Sequence, residues 1–315
     1  MDEQGGQPAT PDKGFEQYEA LRPLMFSIAY RMLGSVGEAE DIVQEAFLRL
    51  HRALTLGSII ESPKAFLTTA TTRLAIDSLR SARARHEAYV GVWLPEPVAV
   101  SLDPDPADLA EKNDSLSLAF LVLLQTLSPV ERAVFLLREV FDYDYDEIAT
   151  TVQKSEDNCR QIFARAKKRI DAGKPRFDAN PQEHYELARR FFDAAVDGDM
   201  SSLVKFLAAE AGFYGDGGGK AHAYPEPIFG QQRVALIIRS LMFVAEKFNV
   251  TFHFALVNGQ PGAVSFDADG RIINALALEI GGGVIQTVRS IVNPDKLTHL
   301  GLPVSDLARI KPREP

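Results

Sequence analysis

The chain has one cysteine, Cys159, so no disulfide can close within it and no zinc site can be built on a cysteine cluster. Its longest apolar run, LSLAFLVLLQTL, occupies residues 116–127. That falls short of the ~20 residues a membrane span needs. The opening MDEQGGQPATPDKG lacks the basic start and apolar centre of a signal peptide. Positive charge is in the minority, with 34 Lys and Arg against 43 Asp and Glu and a net charge of -9. Tryptophan occurs once, at Trp93. These absences exclude a disulfide scaffold and an integral membrane protein, and lead to the expectation of a globular cytoplasmic chain.

Against this acidic background one segment stands out. Between residues 157 and 176 seven cations (Arg160, Arg165, Lys167, Lys168, Arg169, Lys174, Arg176) face only Asp157 and Asp171. A basic block in an acidic protein points to one surface that meets a polyanion. The block closes DEIATTVQKSEDNCRQIFARAKKRI, which reads as a helix-turn-helix over residues 145–164. Ile148, Val152 and Ile162 sit at apolar packing positions, Ala149 is small at the crossing, and Cys159 falls on the buried side. Ser155 is a natural N-cap for the second helix. Its outer face offers Glu156, Asn158, Arg160, Gln161, Arg165 and Lys168, with Lys167 beside them. Side chains near the start of such a helix reach base edges, and later cations meet phosphates. Gln153 and Lys154 stand in the turn where glycine is common.

A length of 315 residues sets a prior of about two to three domains. Residues 1–14 read as a disordered tail. Residues 15–86 are helical, with an apolar stripe at Ile42, Ala46, Phe47 and Leu50 and a cap-and-proline start at Ser62 and Pro63. Residues 87–114 carry Pro95, Pro97, Pro104 and Pro106 and read as a linker. Helices resume over 115–173, where Ser128 and Glu131 have capping-box spacing. Residues 181–300 begin with an amphipathic helix, pass a glycine-rich turn and a second helix, and end in four strand-like runs, with DADG as a hairpin signal. That order predicts an α+β domain. Residues 301–315 read as a tail.

SPVERAVFLLREVFDYDYDEIATTV with RAKKRI resembles domain four of bacterial extracytoplasmic-function sigma factors. GSVGEAEDIVQEAFLRLHRA resembles their domain-two helix that docks on core RNA polymerase, and AFLTTATTRLAIDSLRSARAR the helix that recognises and opens the -10 promoter element. The resemblance implies a multidomain chain of two all-α sigma domains, 15–86 and 115–173, the second with a helix-turn-helix that reads the -35 element. Carried over residue by residue, it implies polymerase docking by Asp41, Gln44, Glu45 and Leu48, with the clamp helices and flap as partners. It implies -10 contacts by Phe66, Arg73, Asp77 and Arg80. Residues 64–86 carry Lys64, Arg73, Arg80, Arg83 and Arg85 against Asp77. Cations beside a stacking aromatic suit a single strand drawn from a duplex. Phe66 stands near where a tryptophan is often found, and a core aromatic is an equal reading of it.

EHYELARRFFDAAVDGDMSSLVKFLAAEAGFYGDGGG resembles the start of a SnoaL-like α+β cone. VWLPEPV, DGGGK and NPDKL together resemble the sigma subgroup that carries this extension. The resemblance implies a domain that regulates the sigma core in cis, through Trp93, Leu94, Pro95, Glu96 and Pro97 on the linker. Asp216, Gly217, Gly218, Gly219 and Lys220, with Asn293, Pro294, Asp295, Lys296 and Leu297, are their counterparts in the extension. The expected contact lays a solvent-prone Trp93 on the bare glycine turn. Gly215–Lys220 is one residue too short for a phosphate loop and is followed by Ala221. Asp216, His222, His253 and Glu279 form no acid–base constellation, so no catalytic residue, metal or cofactor is assigned. Two other readings remain open: a SnoaL-like isomerase or cyclase fused to a DNA-binding module, and a regulator with a small-molecule ligand in the cone.

Overall fold

A computed structural model of the chain describes residues 18–87, 89–98, 100–102, 116–173 and 181–309. The expected N-terminal tail, residues 103–115 of the expected linker, Lys174, Arg176, and the side chains of Arg83 and Arg85 lie outside the described residues.

The first helical unit contains α1 (Arg22–Leu33), α2 (Val36–Thr55) and α3 (Pro63–Glu87). Pro23 stands in the first turn of α1, where its missing N–H leaves no helical bond unmade. Gly34 ends α1 at φ 71° and returns its N–H to Tyr30 at 2.7 Å. Ser62 caps α3, its Oγ accepting from Ala65 N at 3.2 Å. The second unit contains α4 (Leu118–Leu124), α5 (Pro129–Glu139), α6 (Tyr145–Val152) and α7 (Glu156–Gly173). Ser128 and Glu131 form the capping box that opens α5. The units pack through α1 against α5 and through α3 against α5 and α6. The buried Arg132 of α5 donates to Met32 O of α1 at 2.5 Å.

The C-terminal unit opens with α8 (Pro181–Val196) and α9 (Met200–Phe206). Its strands are β2 (Leu207–Asp216), β3 (Ile228–Phe229), β4 (Thr251–Val257), β5 (Gln260–Phe266), β6 (Ile272–Gly281) and β7 (Val284–Ile291), with α10 (Gln231–Lys247) between β3 and β4. An additional strand, β1 (Val100–Leu102), comes from the proline-rich segment and pairs antiparallel with β4. The sheet order is β1-β4-β5-β6-β7-β2-β3, with β2 parallel to β7 and the other pairs antiparallel.

Two features differ from the sequence reading here. The stretch 87–114 is more than a linker, since β1 makes part of it an edge strand of the C-terminal sheet. The tail expected from residue 301 returns to the sheet as far as 309. Ile272 N bonds to Pro303 O and Ser305 N to Ile272 O, both at 2.8 Å.

The two sheet faces have different neighbours. Leu276, Leu278, Ile280 and Val288 pack under α8, α9 and α10 in a core of their own. Ala255, Val257, Val264, Ala275, Ala277 and Ile291, on the opposite face, join one continuous core with Tyr30, Leu50, Leu94 and Phe135. The C-terminal sheet and the helical units are therefore built on shared apolar contact.

Candidate interdomain lock and nucleic-acid interface

The basic segment forms α7, with Cys159, Ile162, Ala166 and Ile170 on its buried side. Burial pushes the Cys159 thiol pKa up and leaves it an inert core group. Phe163 lies 6.1 Å from the ring of Phe135 and 6.3 Å from that of Tyr145, tying α5, α6 and α7 together. In the turn Gln153 takes φ 56°. That left-handed conformation costs a residue with a Cβ about 1–2 kcal/mol; here its N–H closes α6 on Ala149 O. Ser155 Oγ accepts from Asn158 N at 3.3 Å. Glu156, Asn158, Arg160, Gln161, Arg165 and Lys168 are exposed. Arg160 is held over the Tyr145 ring at 4.9 Å by Glu156 and Asp157. Lys167 is turned aside, half-buried and paired with Glu139 at 3.0 Å.

On α2, Asp41, Gln44 and Leu48 are exposed and Glu45 is half-buried, bonded to Arg49 at 2.9 Å. Leu48 is 41% exposed, an apolar group on an otherwise polar face. On α3, Phe66 is half-buried against the shared core. Arg73 donates to Thr151 O at 2.9 Å and to Thr150 O at 2.8 Å, supplying partners to carbonyls at the end of α6. Thr68 and Tyr143 share a buried hydroxyl–hydroxyl bond at 2.7 Å. Asp77 and Arg80 form an exposed pair at 3.2 Å.

A dense polar cluster lies where the linker crosses the C-terminal sheet. Asp216, the last residue of β2, is fully buried. Its carboxylate accepts from Tyr89 Oη at 2.5 Å, Leu94 N at 2.7 Å and Lys296 Nζ at 2.7 Å. Lys296 Nζ also donates to Leu94 O at 2.5 Å. The acid and the base thus hold the N–H and C=O of one linker residue while pairing with each other. The ammonium stands 4.1 Å from the Trp93 ring centroid and 5.0 Å from that of Tyr89. Burial pulls the Lys296 pKa down and Asp216 opposes the fall. Burial, then the bond to Asp216, pushes the Tyr89 pKa up. Asn293 Nδ2 donates to Tyr89 Oη at 2.9 Å. At the surface Lys220 pairs with Asp295.

The linker is also bound to the first helical unit. Glu96 N donates to Gly34 O at 2.8 Å, Glu96 Oε2 accepts from Val36 N at 2.6 Å, and Tyr30 Oη donates to Glu96 O at 2.6 Å. A carboxylate at the first turn of α2 is favoured by the helix dipole. Asn258 joins Val98, Tyr30 and Leu116 through one side chain. His299 Nε2 bonds to Pro97 O at 2.6 Å.

Residues 17–85 match the family model of Sigma-70 region 2, and residues 117–170 that of Sigma-70, region 4. The chain is 34% identical over 294 residues to the ECF RNA polymerase sigma factor SigJ of Mycobacterium tuberculosis, covering 90% of this chain and 92% of that one. This chain belongs to the ECF RNA polymerase sigma factors. The sigma factor is also 33% identical over 291 residues to the Probable ECF RNA polymerase sigma factor SigI of the same species, across 90% and 94% of the two chains. The crystal structure of Mycobacterium tuberculosis SigJ superposes with a TM-score of 0.69 at 31% identity, covering 92% of this chain and 99% of that one. As a sigma factor it serves promoter-specific transcription initiation with RNA polymerase. Among the described residues no helix is long and apolar enough to cross a membrane.

In this sigma factor Leu94, Glu96, Asp216, Asn293 and Lys296 lie in one interdomain polar network, with Pro97 at its edge. Pro294 and Asp295 form the short 3-10 turn that carries Lys296, and Leu297 enters the shared core. The expected seat of Trp93 is corrected. Its ring is half-buried on Gly34, where an added Cβ would stand 2.8 Å from it, and Pro95 lies alongside. The glycine turn is covered by Tyr89 at Gly218 and by Val90 at Gly219, and Gly217 faces Ala221 and Ala223. Tyr30, Tyr89, Val90, Asn258 and His299 join these interdomain contacts and carry no motif that singles them out in the sequence.

Proposed function

We propose that the C-terminal domain holds this sigma factor closed and that release of the linker frees it for the promoter. In the released state the outer face of α7 reads the -35 duplex, α3 contacts the -10 element, and α2 docks on the clamp helices while the second helical unit meets the flap. The observation that carries the reading is the Asp216–Lys296 pair closed around Leu94. It ties the linker to the sheet while the two helical units stay packed on each other. The bonds from Arg73 to α6 support the same reading, since they engage a predicted -10 residue with the other unit. Asp216 is held by the linker, and Glu279 stands 2.5 Å from Arg289. The first engagement, which commits Asp216 to the linker, favours a regulatory part over an enzymatic one.

Removing one partner of a buried pair costs about 3–5 kcal/mol, and each 1.4 kcal/mol is about a factor of ten in an equilibrium. Asp216→Ala or Lys296→Met in the full chain is expected to raise run-off transcription with core RNA polymerase several-fold at limiting sigma factor. Output from both folded variants at or below the parent level would refute the cis-inhibitory lock.

A further inference from the structure

The helix α10 buries Val234, Ala235, Ile237, Ile238 and Ala245 against the sheet. Its opposite side mixes charged residues with large apolar ones. Leu236 is 59% exposed, Phe243 69% and Val244 41%, and Phe248 just past the helix end is 38% exposed. Leu236, Ser240, Phe243 and Lys247 recur at four, three and four residues, which lines them up as one stripe along the helix. The stripe lies away from the lock, and the sheet face that could otherwise meet a partner is already covered by the helical units.

The stripe is complementary to itself. When two copies of α10 are laid antiparallel about a two-fold axis beside Phe243, Leu236 of each meets Phe248 of the other. Ser240 meets Val244, and the two Phe243 rings adjoin at the axis. The small Ser240 lets the helices approach beside the aromatic pair. On the flank the same register sets Arg239 of one copy against Glu246 of the other, and both are exposed. It also keeps Arg233 away from Lys247, the like-charge contact that a register centred nearer residue 240 would impose. Apolar matching, size matching and charge matching all select one register.

We propose that the exposed side of α10 is a two-fold interface between two copies of this chain. The occupant is a second copy because the surface supplies its own complement, in an isologous arrangement where each contact occurs twice. One helix face is small beside the ~1,200–2,000 Å² of stable interfaces, so the dimer is weak and dissociates on dilution. Its existence is independent of the lock around Leu94.

Sedimentation velocity of the full chain over a wide concentration range tests it. The mass is expected to rise with concentration from the 34.7 kDa monomer towards twice that value. Phe243→Glu should keep the chain monomeric throughout. Arg239→Glu sets two acids against each other and should weaken association at least tenfold, and Arg239→Glu/Glu246→Arg should restore it. A monomer at every concentration overturns the proposal. So does a dimer indifferent to Phe243→Glu, or one that the charge swap does not rescue, since association would then use another surface or register.

Discussion

Gly218 stands at φ 56°, with the Tyr89 hydroxyl 2.8 Å from the place a Cβ would occupy and the Asn293 amide, which is bonded to that hydroxyl, closer still. Gly218→Ala therefore adds about 1–2 kcal/mol of left-handed strain and crowds the Asn293–Tyr89 bond that backs Tyr89 onto Asp216. Trp93 is the sole tryptophan, so its emission reports on the linker. The variant is expected to shift that emission to the red. Emission identical to the parent would mean that the turn yields without disturbing the linker. At this scale the sequence is partly legible. An aromatic laid on bare glycine is the right physical idea, but Trp93 takes Gly34, and the triple glycine receives Tyr89 and Val90. Which aromatic meets which glycine depends on how the linker is threaded between two units, and no local spacing encodes that. The burial of Lys296 is equally hidden, because NPDK alone reads as a solvated turn. It becomes a lock only when Asp216, 80 residues earlier in the chain, lies beside it.

Local signals are read more completely at the scale of the element. Ser62, Ser128 and Ser155 each cap the helix that their spacing predicts, because a cap is a contact across three residues. The α7 stripe of Cys159, Ile162, Ala166 and Ile170 is buried as its period requires. Less legible is β2, LAAEAGFYGD, whose alanines and glutamate favour a helix and which becomes a strand through pairing with β7 and β3. Three residues of β1 in a proline-rich stretch give no period to read. For α7 as a reading helix, two substitutions should behave differently in promoter binding. Arg160→Ala, near the helix start, should lower discrimination by about 1–3 kcal/mol for a lost bidentate base contact. Lys168→Ala should weaken binding to all sequences and flatten the salt dependence. Equal effects of both on specific and non-specific DNA, measured by fluorescence anisotropy at two salt concentrations, would remove α7 from base reading.

The core that runs from Tyr30 through Leu94 to Ile291 crosses the boundary that sequence patterning draws between helical units and sheet. Calorimetry of the full chain is therefore expected to show one cooperative transition carrying the helical units and the sheet together. Asp216→Ala should split off a second, lower one. Two well-separated transitions in the parent protein would contradict a shared core. The order in which these parts are made has a consequence of its own. Gly173 closes α7, and Lys296 is translated 123 residues later. At about 5–20 residues per second, the promoter-reading half precedes the last piece of its proposed restraint by about 6–25 s. If the lock restrains the sigma core as proposed, every newly made molecule lacks its Lys296 contacts for that interval. On that proposal, fresh synthesis and release of existing molecules would be two separate sources of active sigma factor, the first scaling with translation rate and the second with the lock's equilibrium.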